Sequence, residues 1–526
     1  MSEKIYILVR LFGHYLAYCP GRDIDIIKIF SAIWNKKSDN TDKIIRMLNN
    51  FFLPNQEYTQ DLIIDLYSIP RWIDEDVFRE CKDDLYDIVR RFTPGKPYYL
   101  YHTKGEEYSQ DPDSWKILYN LELNEMNFYL GIAWYFYVVE YFYPYSVPFN
   151  TSRIVQKIIK NYDKIMNESD HFLFWRETQH LMKDGHCLTS WAGEIYMGDY
   201  ILPINLMFVD GVVIVRDVKK RYSNEIKIGS EILEINDINV DVLMKSQRIY
   251  SRGSNDNYEI YSTLDIIVKS QKTKTAKIKF KGGVSVVVEN FERKAYHEKG
   301  HPQRKYALEK YNIKIQGRKT GFIEDDIFYV NGDMLGKYNA KDIGGIIRSG
   351  DIKSLILDHR GYDISRPEFQ NFILSSLFSK LDDFALVESN MIMVPCMKKI
   401  YFSKPWQFDE SLFPKKDLKI KIIILVDHAS ISRSEWATMQ YQRIQIDSSR
   451  PKNVITVGQQ TAGADGNVRN FYLPGKIVVM MTFLGVFYPN SIPTQRKGII
   501  IDKYVDYKAD EDDQIFLAGV DMATAI

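Results

Sequence analysis

A chain of 526 residues with 69 Lys plus Arg against 69 Asp plus Glu carries no net charge, which argues against nucleic acid or an anionic membrane surface as partner. An aromatic fraction of 14%, with 36 tyrosines, excludes a disordered chain and suits thick cores, and the length predicts about two to four domains. Cys19, Cys81, Cys187 and Cys396 stand far apart without a CxxC pair, so neither a zinc site nor a disulfide framework is expected, and no metal or cofactor is called for.

Residues 1–195 read as a helical region. Ile5, Leu8, Val9, Phe12 and Leu16, then Ile26, Ile27 and Phe30, recur at three- and four-residue spacing. Leu62–Leu66 and Tyr86–Phe92 continue the pattern, with Pro54, Pro94 and Pro97 as breaks. The opening MSEKIYILVRLFGHYLAYCP is a poor secretory signal, because Arg10 and His14 interrupt its apolar run and no small-residue cleavage site follows. The most apolar run, Phe128 to Val139, ends at Glu140. At about 12 residues it is too short to span a bilayer and predicts a buried helix in a soluble protein. LFGHYLAYCP (11–20) is echoed by YFYVVEYFYP (135–144), a hint of a duplicated helical unit. A further helical run, Ile154 to Ile165, leads to His180 and His186. His180 falls inside a helix. His186 follows the turn signal Asp184-Gly185, where a loop exposes side chains, although a loop histidine taken alone is more often structural.

Residues 196–285 change texture to short strands. LPINLMFVDGVVIVRDV (202–218) alternates around an Asp210-Gly211 turn, and KIGSEILEINDINVDVL (227–243) sets Asn236-Asp237 in a tight turn. Ser262–Ser270, as a helix or a strand, and Ala276–Phe280, as a closing strand, complete a compact β-rich module. A charged linker is expected over 286–315, where His297 and His301 lack further ligands at metal-binding spacing. From 316 to 526 strand and helix patterns alternate, as in an α/β domain. Phe322–Val330, Leu355–Leu357, Ala385–Val394, Ile422–Val426 and Val454–Val457 are the strand candidates. Three loops follow strand ends: Asp358 to Tyr362, Asp427 to Ser432, and Gly458 to Gly466. In the second, KIIILVDHASISRSEW, a serine at a strand-to-helix turn projects its hydroxyl beside helix N-terminal N–H groups. The plainer reading makes Ser430 or Ser432 a helix cap, with Glu435 in the first turn.

With these loops in view the sequence resembles the tail-specific, or C-terminal processing, serine protease family, in its tricorn-like branch. LMKDGH (181–186) resembles the Asp-Gly-His segment of that family, and KIGSEILEINDINV its PDZ segment. SLILDHRGY resembles the Asp-x-Arg strand end, DHASISRSEWATM the nucleophile turn, VGQQTAGADGN the Gly-x-x-Thr-x-Gly loop, and TQRKGIIID (494–502) the closing segment. The six stand in family order, over roughly the last two thirds of the chain. The resemblance implies a multidomain α+β protein: a helical N-terminal region, a PDZ-like module and a crotonase/ClpP-like α/β catalytic domain. It implies a serine-type endopeptidase acting on polypeptides, without a cofactor or a membrane span, and family members are usually periplasmic or extracellular. Carried over residue by residue, Ser432 is the nucleophile and His186 the general base. Backbone N–H groups of Arg433 and the Gly361–Tyr362 turn form the oxyanion hole. Asp358 and Arg360 hold that turn.

The sequence departs from the family at several points. Ala464 stands where many relatives carry the lysine of a Ser-Lys dyad. Gln495 stands where the tricorn-like branch has a glutamate, leaving Gln495 or Asp465 to orient the histidine. Tyr362-Asp363 replaces a glycine pair, and Ile501 a proline. The second reading is therefore a non-catalytic peptide-binding or scaffold relative. An α/β esterase fits poorly, because no G-x-S-x-G elbow surrounds Ser432. His428 and His359 are the reserve candidates for the base.

Overall fold

A computed structural model describes residues 2–18, 25–36, 41–52, 71–90, 118–191, 197–293, 319–332, 335, 337–361, 367–391, 394–405, 414–509 and 513–525. His297, His301, Tyr362 and Asp363 lie outside them, as does the run Leu62–Leu66.

Two aromatic helices anchor the N-terminal region. Glu125–Phe142 is buried on nearly its whole circumference, as a helix apolar all round must be, and Ser2–Tyr18 packs against it. The charges that interrupt these two apolar runs meet each other. Arg10 Nη1 lies 2.7 Å from Glu140 Oε1, and Arg10 also donates to Thr151 and Ser152. His14 is buried with its Nε2 on the Leu85 carbonyl at 3.1 Å. The helices Thr151–Lys160, Tyr162–Ile165 and Glu168–His180 follow. The region does not stay helical to its expected end, because Leu188–Trp191 is a strand.

The middle of the chain is β-rich. Ile204–Val209 pairs with Val212–Val218 through Asp210 (φ 51°) and Gly211 (φ 84°), the two positive-φ residues that a tight I′ hairpin requires. A four-stranded sheet runs in the order Ile238–Asn239, Ile232–Ile235, Thr275–Phe280, Ser285–Glu289. Its last strand, Ser285–Glu289, runs into the stretch 286–315 where a linker was expected. The candidate segment Ser262–Ser270 belongs to a helix, Asp256–Lys269.

The C-terminal region is built on six strands in the order Gly321–Glu324, Ile327–Asn331, Ser354–Asp358, Lys421–Val426, Val454–Gly458, Lys503–Tyr504. All neighbours are parallel except the first pair. The expected single strand Phe322–Val330 is thus a hairpin that turns at Asp325-Asp326. Ala385–Val394 likewise resolves into Ala385–Met391 paired with Val394–Ser403 and with Leu484–Phe487. Both faces of the large sheet are covered, as a parallel sheet requires. Ile422, Ile424 and Val426 face the helices Ala340–Ser349, Pro367–Leu377 and Arg433–Gln442. Ile423 and Leu425 face the helix Gln514–Thr524 and the Ile204–Val218 hairpin.

A small three-stranded sheet ties the two ends together. Leu188–Trp191 pairs antiparallel with Ile477–Thr482, Leu188 opposite Met480, and Ile477–Thr482 pairs with Val468–Leu473. Among the described residues no helix is long and apolar enough to cross a membrane.

Candidate active site

Lys421–Val426 ends at the carboxyl edge of the large sheet, where open α/β sheets present their functional loops, and the chain turns into the helix Arg433–Gln442 through Ser432. Ser432 adopts φ 57°, ψ −114°, a region that side-chain-bearing residues rarely occupy and that costs on the order of 1–3 kcal/mol. The surroundings hold it there. Its N–H donates to the Ala464 carbonyl at 2.9 Å, and its carbonyl accepts from Trp436 N–H at 2.9 Å. Its side chain caps nothing, so the plain capping role does not explain the residue. Ser430 is a tie rather than a cap: its hydroxyl donates to the His359 carbonyl at 2.8 Å and accepts from Asp427 N–H at 3.0 Å.

Glu435 stands in the first turn of the helix Arg433–Gln442, as expected. Its buried carboxyl accepts from the Thr461 hydroxyl (2.6 Å), Gly463 N–H (2.8 Å) and Ala464 N–H (2.9 Å), clamping the loop 458–466 against the helix. Burial outweighs these bonds and pushes the carboxyl up to about 7. The loop starts at Gly458 (φ 137°), where a Cβ would sit 1.8 Å from the Val426 carbonyl oxygen. Only glycine lets the two strand ends approach so closely.

His186 lies far from Ser432 in the sequence. It stands just before Leu188–Trp191, and the pairing of that strand with Ile477–Thr482 brings it to Thr482. Its Nδ1 lies 3.4 Å from Thr482 Oγ1. The Thr482 hydroxyl donates to Asp184 Oδ2 at 2.8 Å, Tyr143 donates to the same oxygen at 3.0 Å, and Asp184 Oδ1 accepts the His186 backbone N–H at 2.8 Å. Burial lowers His186 to about 4; the Asp184 charge opposes the shift and Arg252 adds to it. The ring is therefore neutral at ordinary pH, as a proton acceptor must be.

His186 and Ser432 line one cavity of about 510 Å³, together with Ile431, Arg252, Tyr258 and Tyr261. The two tyrosines come from the helix Asp256–Lys269, so the β-rich module supplies one wall. Among the described residues no hydrogen bond joins His186 to Ser432.

The other expected site residues fall elsewhere. Gln495 is buried with neither side-chain Oε1 nor Nε2 bonded, and Asp465 bonds only Gly466 N–H (2.7 Å) through Oδ1, leaving Oδ2 without a partner. Burial, then the charge of Glu435, holds the Asp465 carboxyl well above the usual range. Neither reaches the His186 ring, whose hydrogen-bond partner among the described residues is Thr482. Gly361 N–H is directed at Asp427 Oδ1 at 3.3 Å, which occupies the donor that an oxyanion hole would need. Arg433 opens the helix behind Ser432. His428 turns its Nδ1 to Gln459 Oε1 (2.8 Å) and His359 its own to Thr438 Oγ1 (2.9 Å), and neither borders the cavity. Asp358 and Arg360 form a buried pair at 2.6 Å, and Arg360 also reaches Asp513, the cap of the last helix, at 2.6 Å. Asp184, Thr482, Arg252 and Tyr258 had not been singled out as site residues. The one sequence signal for any of them was the position of Asp184 before Gly185.

No family model matches the chain, and no curated protein matches it. Solved structures do. The structure of a CPAF mutant superposes with a TM-score of 0.53 at 12% identity, over 74% of this chain and 94% of that one. Mature CPAF complexed with lactacystin gives 0.51 at 13% identity, over 74% and 95%. The chain has the CPAF fold. The photosystem II D1 C-terminal processing protease also aligns, over 75% of this chain and 98% of its own, at 13% identity and a TM-score of 0.40. The CPAF likeness bears out, at the level of the fold, the resemblance to tail-specific proteases that the sequence motifs carry.

Proposed function

We propose that the chain is a serine-type peptidase in which Ser432 is the nucleophile and His186 the general base. One observation carries this reading: the left-handed backbone of Ser432 at a helix N-terminus, on the wall of the cavity that also holds a neutral, buried His186. Strain of this kind persists only where surrounding contacts enforce it, and it collects at functional sites. In the reaction the Ser432 hydroxyl attacks the scissile carbonyl carbon as His186 Nε2 takes its proton. The helix N-terminus at Arg433 stabilises the oxyanion, and His186 returns the proton to the leaving amine. Water then hydrolyses the acyl-enzyme by the same route. The β-rich module, whose helix Asp256–Lys269 borders the cavity, presents an extended polypeptide by strand addition in PDZ fashion. Cleavage falls within unfolded or C-terminally presented chains.

The donor of Gly361 directed at Asp427 favours a second reading, a peptide-binding relative without catalysis. A fluorophosphonate serine probe, alongside hydrolysis of a fluorescent unfolded protein, separates the two. The peptidase reading expects labelling and turnover in the wild type, with both lost in Ser432→Ala. A correctly folded wild type that neither labels nor hydrolyses would establish the binder instead.

A further inference from the structure

We infer that Asp184 is the carboxylate that orients His186, and that it does so through the hydroxyl of Thr482. The inference rests on the Ser432–His186 reading and supplies the third member that neither Gln495 nor Asp465 provides. Carboxylate oxygens accept hydrogen bonds, and a threonine hydroxyl has one proton to give. At 2.8 Å the Thr482 proton is committed to Asp184 Oδ2. The Thr482 oxygen therefore presents a lone pair to His186 Nδ1, 3.4 Å away. That lone pair is satisfied only when Nδ1 carries the ring proton. A neutral imidazole has a single N–H, so Nε2 is left with its lone pair for the Ser432 proton.

Asp184 is built for the task. Its other oxygen takes the His186 backbone N–H at 2.8 Å, so one carboxylate fixes both the main chain and, through Thr482, the ring. Tyr143 secures the carboxylate at 3.0 Å and is itself within 3.4 Å of an Arg496 donor. Thr482 is the last residue of the strand that pairs with Leu188–Trp191, so the register that brings in the histidine also brings in the hydroxyl. When His186 accepts the serine proton, the negative charge of Asp184 stabilises the imidazolium across the hydroxyl. Asp184 and Thr482 are positioning residues, with no contact to the reacting atoms.

The test uses Thr482→Val, which keeps the shape and removes the hydroxyl, Thr482→Ser, which restores it, and Asp184→Asn. The expected result is a kcat lowered about 10–100-fold by Thr482→Val with KM unchanged, as for other orienting partners, and a rate within about threefold of wild type in Thr482→Ser. Asp184→Asn combined with Thr482→Val loses no more than the worse single variant, as members of one unit do. Ring ¹⁵N spectra of labelled histidine read the tautomer directly and need no turnover. Wild type is expected to hold the proton on Nδ1, and Thr482→Val to show a mixture. A wild-type Nε2–H tautomer, or equal losses in the Val and Ser variants, would overturn the inference. A silent wild type with the Nδ1–H tautomer would sink the peptidase reading and leave the positioning intact.

Discussion

The two halves of the candidate centre are held by opposite means. Ser432 is placed locally: a strand, a six-residue turn and a helix follow one another in sequence, and a neighbouring loop closes on them through Glu435 and the bare backbone of Gly458. His186 is placed from afar, by an antiparallel register between Leu188–Trp191 and Ile477–Thr482 and by the aromatic helices behind it. The serine side stores strain in one backbone angle. The histidine side stores its cost in desolvation, since His14, His171 and His186 are all buried and each is lowered to about 4. The proposed nucleophile is thus defined by the backbone and the proposed base by its surroundings.

The largest expected break in this comparison is His186→Ala. Losing the base lowers kcat by about a thousandfold or more, while near-native circular dichroism shows that the distant register survives without the ring. A near-normal rate would reassign the base. The next effect is on stability with pH. His171 is lowered from 6.5 to about 4 by burial, so the unfolded chain takes up its proton first. Its contribution is fully present above pH 6.5 and is lost as pH falls towards 4. His171→Phe keeps the ring contacts with Phe128 and Trp175. It should reduce the acid loss, measured by urea unfolding at pH 7 and pH 4.5, by on the order of 2 kcal/mol. The smallest effect lies on the serine side. Ser432→Gly relieves the φ of 57° and should raise the stability of the folded chain by about 1 kcal/mol while removing activity. An unchanged or lower stability would mean that the elbow is not strained.

Much of the serine side was legible in the sequence, because its determinants are neighbours. Five apolar residues fixed the buried strand, Asp210-Gly211 fixed a hairpin, and the order of short motifs placed Ser432 at its turn. The clamp that Glu435 makes from the first turn was not legible, because its partners belong to a loop that follows another strand. The hairpin at Asp325-Asp326 was hidden for want of a glycine, and the helix Asp256–Lys269 was left open between helix and strand. On the histidine side, His186 was visible only through its motif. Nothing around Thr482 marks it as a partner of Asp184, since their meeting depends on which strands pair and in which register. Gln495, by its motif position, or Asp465, as a substitute, was expected to orient the histidine, and neither bonds the His186 ring among the described residues.

The buried meeting of Arg10 with Glu140 and the pairing of Leu188 with Met480 also say something about how the chain is made. Synthesis runs from the N-terminus, and early segments fold as they emerge. The aromatic helices can close on each other while the ribosome is still working, but the strand that follows His186 must wait for a partner near the carboxyl end. Until then the growing chain has a histidine without its threonine and no serine elbow beside it. The proposed Ser432–His186 site is therefore complete only once the final quarter of the polypeptide has been made.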